Sequence, residues 1–369
     1  MPRFAAMLLE GMRAKGHKVE VWAPEPKFYK LPFPKIFKKW LGYIDQYVIF
    51  PEWVKKQVKK LPVDTLFVFT DHAQGPWVPL VSNRPHVIHC HDFLAQRSAL
   101  GEIPENPTSF TGRLYQKFIR KGYSKGKNFI SVSEKTQEDL HRFLKSKVYV
   151  SEVVYNGLNR NFYPQNSDEA REAFGKAIAK DLSKGYILHV GGNQWYKHRA
   201  GVIQIYDCWR NNFGGEIPLL LIGAEPTEKL RQIREGSAFK RDIHFLSGIS
   251  DALINSAYAG ASVFLFPSLA EGFGWPIAEA MACGCPVITT GEAPMTEVTG
   301  EAAFFIKKTV ENSAKTRNAA NVLNSVIALP LDEREKLIQR GIKNSRRFDS
   351  EEALSKIEEI YKVILIRYK

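Results

Sequence analysis

Apolar runs of strand length recur along the chain, separated by stretches of helical or loop character. The first series is Leu66–Phe69, Val87–His89, Phe129–Val132 and Val148–Val154, with segments such as Arg113 to Lys125 between them. A second series comprises Tyr186–Val190, Leu219–Ile222, Ile243–Leu246, Val263–Phe266, Val287–Thr289 and Ala303–Ile306. Such alternation predicts an α/β fold in which parallel sheets are flanked by helices. Phe4 to Lys15 reads as a helix ended by Gly16, Lys18 to Ala23 alternates like a strand, and Glu351 to Tyr368 reads as a closing amphipathic helix. Between the two series the chain turns polar at Pro164-Gln-Asn-Ser-Asp168, ahead of a helical stretch from Glu169 to Leu182. Two successive doubly wound units are therefore expected, residues 1–163 and 164–348, followed by a terminal helix in 349–369.

In open parallel sheets, ligands bind beyond the carboxyl ends of the strands, so the residues after each run carry the candidate chemistry. Asp71-His72, His91-Asp92 and Ser131-Val-Ser133-Glu134 occupy such positions in the first half. Each histidine there also fits a structural hydrogen bond at a strand end. In the second half, Val263–Phe266 is followed by Ser268-Leu-Ala-Glu271-Gly-Phe-Gly-Trp-Pro-Ile-Ala-Glu279-Ala-Met-Ala-Cys283-Gly-Cys-Pro-Val. Pro276 fits the first turn of a helix and Gly284 its end. On that helix Ile277, Ala280 and Met281 form the apolar stripe, which directs Glu279 toward a cleft or solvent. The loop's N–H groups, at a helix N-terminus, suit an anion such as a phosphate. Two carboxylates beside an anion would be repelled unless they accepted hydroxyl hydrogen bonds, and a sugar nucleotide offers both phosphate and hydroxyls. Taken alone, these residue types also fit any strand–turn–helix unit with two surface glutamates. A second loop, Val190-Gly191-Gly192-Asn193, ends another strand and leads through Lys197-His-Arg199 into a helix. Its glycines permit close backbone approach, and Lys197 adds a point charge suited to a diphosphate.

At 369 residues, 44% hydrophobic, the chain can bury two large cores. Neither a secretory leader nor a run of about 18 apolar residues is found, which leads us to expect a cytoplasmic protein. The four cysteines lack zinc-site spacing, and Cys283 and Cys285 read as small packing residues around a tight turn. The net charge of +13 is uneven: residues 1–60 hold thirteen Lys/Arg against five Asp/Glu. Lys27 to Lys60 interleaves bases with Phe28, Tyr29, Leu31, Phe33, Ile36, Phe37, Trp40 and Leu41. Such mixing suits a peripheral contact with an anionic membrane surface on its inner face, or a solvated basic face around an ordinary core. No nucleic-acid module accompanies the charge, and nucleic acid is not an expected partner.

The string from Ser268 to Val287 closely resembles the E-x7-E signature of glycosyltransferase family 4. Phe4 to Val21 resembles that family's first helix and second strand, and His89-Cys-His91-Asp92, Val132-Ser133-Glu134 and Val154-Tyr-Asn156-Gly157-Leu158 resemble further landmarks. The resemblance covers nearly the whole chain. It implies the GT-B fold, two Rossmann-like domains facing a cleft, with the terminal helix crossing back to the first. On the family's pattern a first strand and glycine loop, about fifteen to twenty residues, would precede Phe4; either the start is assigned too late or the chain is a truncated member. Mass spectrometry of the native protein distinguishes these.

The activity implied is retaining transfer of a hexose from a nucleotide diphosphate sugar to a hydroxyl of a glycan or lipid-linked acceptor, in cell-surface polysaccharide synthesis. Neither cofactor nor metal is implied. Glu271, His91 and Lys197 are carried over as catalytic. Gly191, Gly192, Arg199, Gly272, Phe273, Gly274 and Glu279 are carried over as donor-binding, with Glu279 on the ribose and Arg199 compensating for Tyr196 where the family commonly has arginine. Glu297 resembles a further, structural landmark. His72 and Asp92 are weaker acceptor-side candidates. A sugar-nucleotide epimerase of the same fold, or a non-catalytic membrane-associated sugar-nucleotide-binding protein, are the alternatives.

Overall fold

The computed structural model describes residues 2–144, 147–158, 162–308 and 313–368. The chain forms two compact units, one of residues 1–155 with 351–369 and one of residues 156–350. The first division therefore falls at Asn156, ahead of the polar stretch expected to mark it. Gly157 shows why: a Cβ there would run into the backbone of Ser350, so residues just after the division already pack within the second unit.

Among the described residues, the first unit holds four parallel strands, β1 (Phe67–Phe69), β2 (His86–Cys90), β3 (Asn128–Ser131) and β4 (Val150–Val153), in the order β1-β2-β3-β4. Strands β2 and β3 are buried along their whole length, as continuous apolar runs in a covered parallel sheet require. Val78, Ile88, Phe93, Ile119, Tyr123, Phe129 and Leu140 fill the core of this unit. The terminal helix Ser350–Ile366 packs here: Tyr361 hydrogen-bonds His89 at 2.7 Å, and Leu354 lies against Gly11 in the helix Pro2–Ala14.

The alternating segment Lys18 to Ala23 is not a strand, contrary to expectation. A strand exists only through its ladder, and among the described residues none pairs with it. Aromatic packing holds it instead, with Trp22 edge-on to Trp53 at 5.1 Å and tilted against Phe67 at 5.9 Å.

Among the described residues, the second unit holds six parallel strands, β5 (Ile187–Val190), β6 (Leu219–Ile222), β7 (Ile243–Leu246), β8 (Val263–Phe266), β9 (Val287–Thr290) and β10 (Phe304–Ile306). Their order is β10-β9-β8-β5-β6-β7. The connection leaves β5 toward β6 and β7, then returns to place β8 on the other side of β5. The pair β5/β8 is therefore the topological switch point, where loops diverge and leave a crevice at the strand ends.

Candidate functional site

The loops after β5 and β8 meet at this switch point. Lys197, in the turn Trp195–Lys197, forms an ion pair with Glu271 at 2.8 Å, and Ser268 Oγ donates to the same Glu271 oxygen at 2.7 Å. The backbones are tied as well, since the Tyr196 carbonyl accepts from Leu269 N at 2.8 Å and lies 2.8 Å from Ser268 Oγ, whose single proton it shares with Glu271. Both ion-pair side chains are largely buried, 13% exposed for Lys197 and 8% for Glu271. The Lys197 stem lies against Gly191, and its ammonium sits 4.9 Å from the Phe266 ring centroid. At this depth the pair is shielded from the screening that makes surface ion pairs weak.

Gly191 N donates to Ile222 O, and Gly223 N to Leu246 O, which draws the ends of β5, β6 and β7 together. Gly223 has φ +151°, and a Cβ on it would strike the Gly191 carbonyl. After β8, the Gly272-Phe273-Gly274 loop feeds the helix Trp275–Ala282, with Gly274 at φ +110° and Pro276 in the first turn. The helix starts where its unshared N–H groups face the loop, an electropositive position.

Several expected residues fall differently. Glu279 does not face solvent: it is 5% exposed and accepts a hydrogen bond from Tyr258 Oη at 3.1 Å. Its helix is buried on nearly every side from Ile277 to Ala282. Burial, then the adjacent Glu279 carboxylate, pushes the Tyr258 hydroxyl well above its ordinary pKa, so the proton stays on the tyrosine and Tyr258 is the donor. Phe273 is not a ligand through its ring, which is buried edge-on against Phe348 at 5.4 Å and anchors the glycine loop. Arg199 is buried too. Its guanidinium donates to Asn193 Oδ1 at 2.6 Å and to the Ala224 carbonyl at 2.9 Å, over the Phe245 ring. It braces the β5 and β6 loops through these bonds, while its Nε is buried without a partner among the described residues.

In the first unit, Thr70, Asp71, His91 and Asp92 come together beyond β1 and β2. His91 Nε2 donates to the Thr70 carbonyl at 2.9 Å, which fixes the proton on Nε2 because a carbonyl only accepts. Phe4 meets the His91 ring edge-on at 4.6 Å. Burial lowers the His91 pKa, opposed by the Asp71 carboxylate. Asp92 accepts from Leu94 N at 2.9 Å and so caps the turn after β2. His72 is buried against Phe93 at 4.5 Å, and its Nδ1 lies 3.2 Å from Asp71 Oδ1 but out of line for a hydrogen bond. That packing corrects its expected role as an acceptor-side residue. Ser133 accepts from Thr136 N and caps the helix Glu134–Phe143.

Pattern reading missed His189 and Tyr258, and quoted Ser268 without giving it a role. His189 lies in a buried run: Nδ1 lies 3.0 Å from the Leu265 carbonyl, while Nε2 is buried under Gly191 without a hydrogen-bond partner among the described residues. Its position one residue before the end of β5 was the available signal. Tyr258 lies on a different helix and carried none. The cysteines are free, and burial pushes the Cys285 thiol up to about 12, which leaves it an unreactive packing residue.

A sheet of this order, with glycine loops after both strands of its switch point, defines a doubly wound α/β protein of Rossmann-like topology. The family model described as "Glycosyl transferases group 1" matches residues 170–344, and that described as "Glycosyltransferase Family 4" matches residues 1–162. The chain belongs to glycosyltransferase family 4, and its fold is GT-B. It is 24% identical over 257 residues to "O-antigen chain mannosyltransferase B" of Escherichia coli, covering 68% of this chain and 65% of that relative. It is 25% identical to "Phosphatidyl-myo-inositol mannosyltransferase" of Mycobacterium leprae, over 97% of this chain and 91% of the relative. Among solved structures, Anabaena HepE in complex with UDP and glucose superimposes with a TM-score of 0.69 at 19% identity, covering 94% of this chain and 87% of that one.

Proposed function

We propose that the chain is a retaining hexosyltransferase that moves a hexose from a nucleotide diphosphate sugar to a hydroxyl of a glycan or lipid-linked acceptor, in cell-surface polysaccharide synthesis. The observation that carries this reading is the buried Lys197–Glu271 pair at the switch point of the second sheet. Without a donor, Glu271 neutralises Lys197. A bound diphosphate would take over the ammonium and free Glu271 to accept from sugar hydroxyls. Leaving-group charge would be met by Lys197 together with the N–H groups of Gly191-Gly192 and of Gly272 to Trp275. Glu279, oriented by Tyr258, would receive the ribose hydroxyls. The departing phosphate can take the acceptor proton, so His91, held with its Nε2 proton on Thr70, is assigned to orient and stabilise rather than to abstract.

The mannosyltransferase relatives favour mannose as the hexose, and the UDP complex of HepE favours a nucleoside diphosphate leaving group. The basic aromatic segment, with the O-antigen chain and phosphatidyl-myo-inositol in the relatives' names, favours work at the inner face of a membrane. No helix among the described residues is long and apolar enough to cross one.

Lys197→Ala and Glu279→Ala should each weaken nucleotide binding by calorimetry, by about tenfold or more for loss of one charge-assisted contact. Glu271→Ala should mainly lower turnover. Unchanged binding and turnover in all three would sink the assignment. A screen of UDP-, GDP- and ADP-hexoses names the donor, and NMR of the product decides between retention and inversion.

A further inference from the structure

The basic aromatic segment has a second half elsewhere in the chain. The helix Lys35–Ile44 buries none of its residues, and Trp40 is 62% exposed. It is not a loose arm. Asp45 accepts from Phe28 N and Tyr29 N, both at 2.9 Å, and Lys38 donates to the carbonyls of Tyr29 and Leu31, both at 2.7 Å. The loop carrying Phe28, Tyr29, Leu31 and Phe33 is thereby clipped to the helix with its side chains outward.

From this helix an aromatic path leads to another, Phe110–Tyr123. Trp40 meets Tyr43, Tyr43 stacks on Tyr115 at 5.9 Å, Tyr47 Oη lies 2.8 Å from Tyr115 Oη, and Tyr47 meets Phe118 edge-on at 5.4 Å. On the outer face of that second helix, Phe110, Leu114 and Phe118 are exposed at helical spacing, Phe110 by 75%. Arg113, Lys117 and Lys121 are exposed at the same spacing beside them. At about 100° per residue the two stripes run side by side along one face. Charge is one-sided across both parts. Residues 27–60 hold nine lysines against Asp45, which is buried, and Glu52, while residues 106–133 hold six Lys/Arg and no Asp or Glu.

We propose that the helices Lys35–Ile44 and Phe110–Tyr123 form one bipartite face that seats the chain on a membrane rich in anionic lipid. Their aromatic and aliphatic side chains enter the headgroup boundary while the lysines and arginines meet the headgroups. The one-sided charge favours anionic lipid over a second copy of this chain, whose matching face would be equally basic. The inference deepens the membrane reading above by adding the second helix. It does not depend on which sugar is transferred.

The test is co-sedimentation of the full chain with vesicles of phosphatidylcholine alone or with about one quarter phosphatidylglycerol. Wild type should bind the anionic vesicles, and added salt should release it. The double variants Phe110→Ser/Leu114→Ser and Lys117→Glu/Lys121→Glu should each weaken that binding by roughly tenfold or more. Both leave Phe118 and its contact with Tyr47 in place, and unchanged melting shows that they fold. Phe37→Ser/Trp40→Ser should do likewise. If only this last variant weakens binding, the bipartite face is overturned and the first helix acts alone. If wild type ignores anionic vesicles while still binding nucleotide sugar, the membrane reading falls and the transferase reading stands. Self-association lost in the Phe110 to Lys121 variants, with vesicle binding intact, would identify the face as a contact between copies and overturn the proposal.

Discussion

Tyr258 and Glu279 are both buried, and each is tolerable there because of the other: the hydroxyl needs an acceptor and the carboxylate a donor. The histidines follow a different rule. His89 and His189 are fully enclosed, and burial pushes each down to about 3. An unfolded histidine titrates near 6.5, so between these values the unfolded chain binds more protons than the folded one. Stability from these groups is therefore fully present above about 6.5 and is lost as pH falls toward 3, at up to about 1.4 kcal/mol per pH unit for each. Urea unfolding at successive pH values should show this decline, and His189→Gln should flatten it. An unaltered slope in that variant would refute the assignment to His189. Glu271 and Lys197 were legible as residues from their loops. Their pairing was not, because 74 positions separate them and only the strand order brings them together.

At the scale of elements, the strands were legible because a covered parallel sheet needs uninterrupted apolar runs, and all ten lie within or beside the runs read from the pattern. The segment Lys18 to Ala23 carried the same signal without a ladder partner, and alternation by itself makes no hydrogen bonds. The loop glycines are where element and site meet. Gly223→Ala would place a Cβ against the Gly191 carbonyl from a backbone conformation that side chains rarely adopt. It should cost about 2 kcal/mol or more by chemical denaturation. Because the displaced atom belongs to the Gly191-Gly192 loop, nucleotide affinity should fall as well. The same substitution at Gly16, whose Cβ would meet open space, costs only local strain and should leave nucleotide affinity untouched.

At the scale of the molecule, the first unit is closed by both ends of the chain, whereas the second is one continuous stretch. Removing residues 351–369 would take Tyr361 from His89, Leu354 from Gly11 and the fully buried Ile364 from the first unit. Differential scanning calorimetry should then show the first unit's transition lowered or lost while nucleotide binding by the second persists; parallel loss of both would count against two separate cores. The terminal helix was readable from its period, but the unit that receives its apolar face was not. By itself the sequence determined the periods, the glycine turns and the basic, aromatic surface, since these depend on neighbours a few residues apart. The tertiary structure decided the pairing of Lys197 with Glu271, the burial of Glu279, Phe273 and Arg199, and the joining of two distant amphipathic helices into one face. Those outcomes depend on contacts between residues far apart in the chain, and strand order and packing, rather than local pattern, select them.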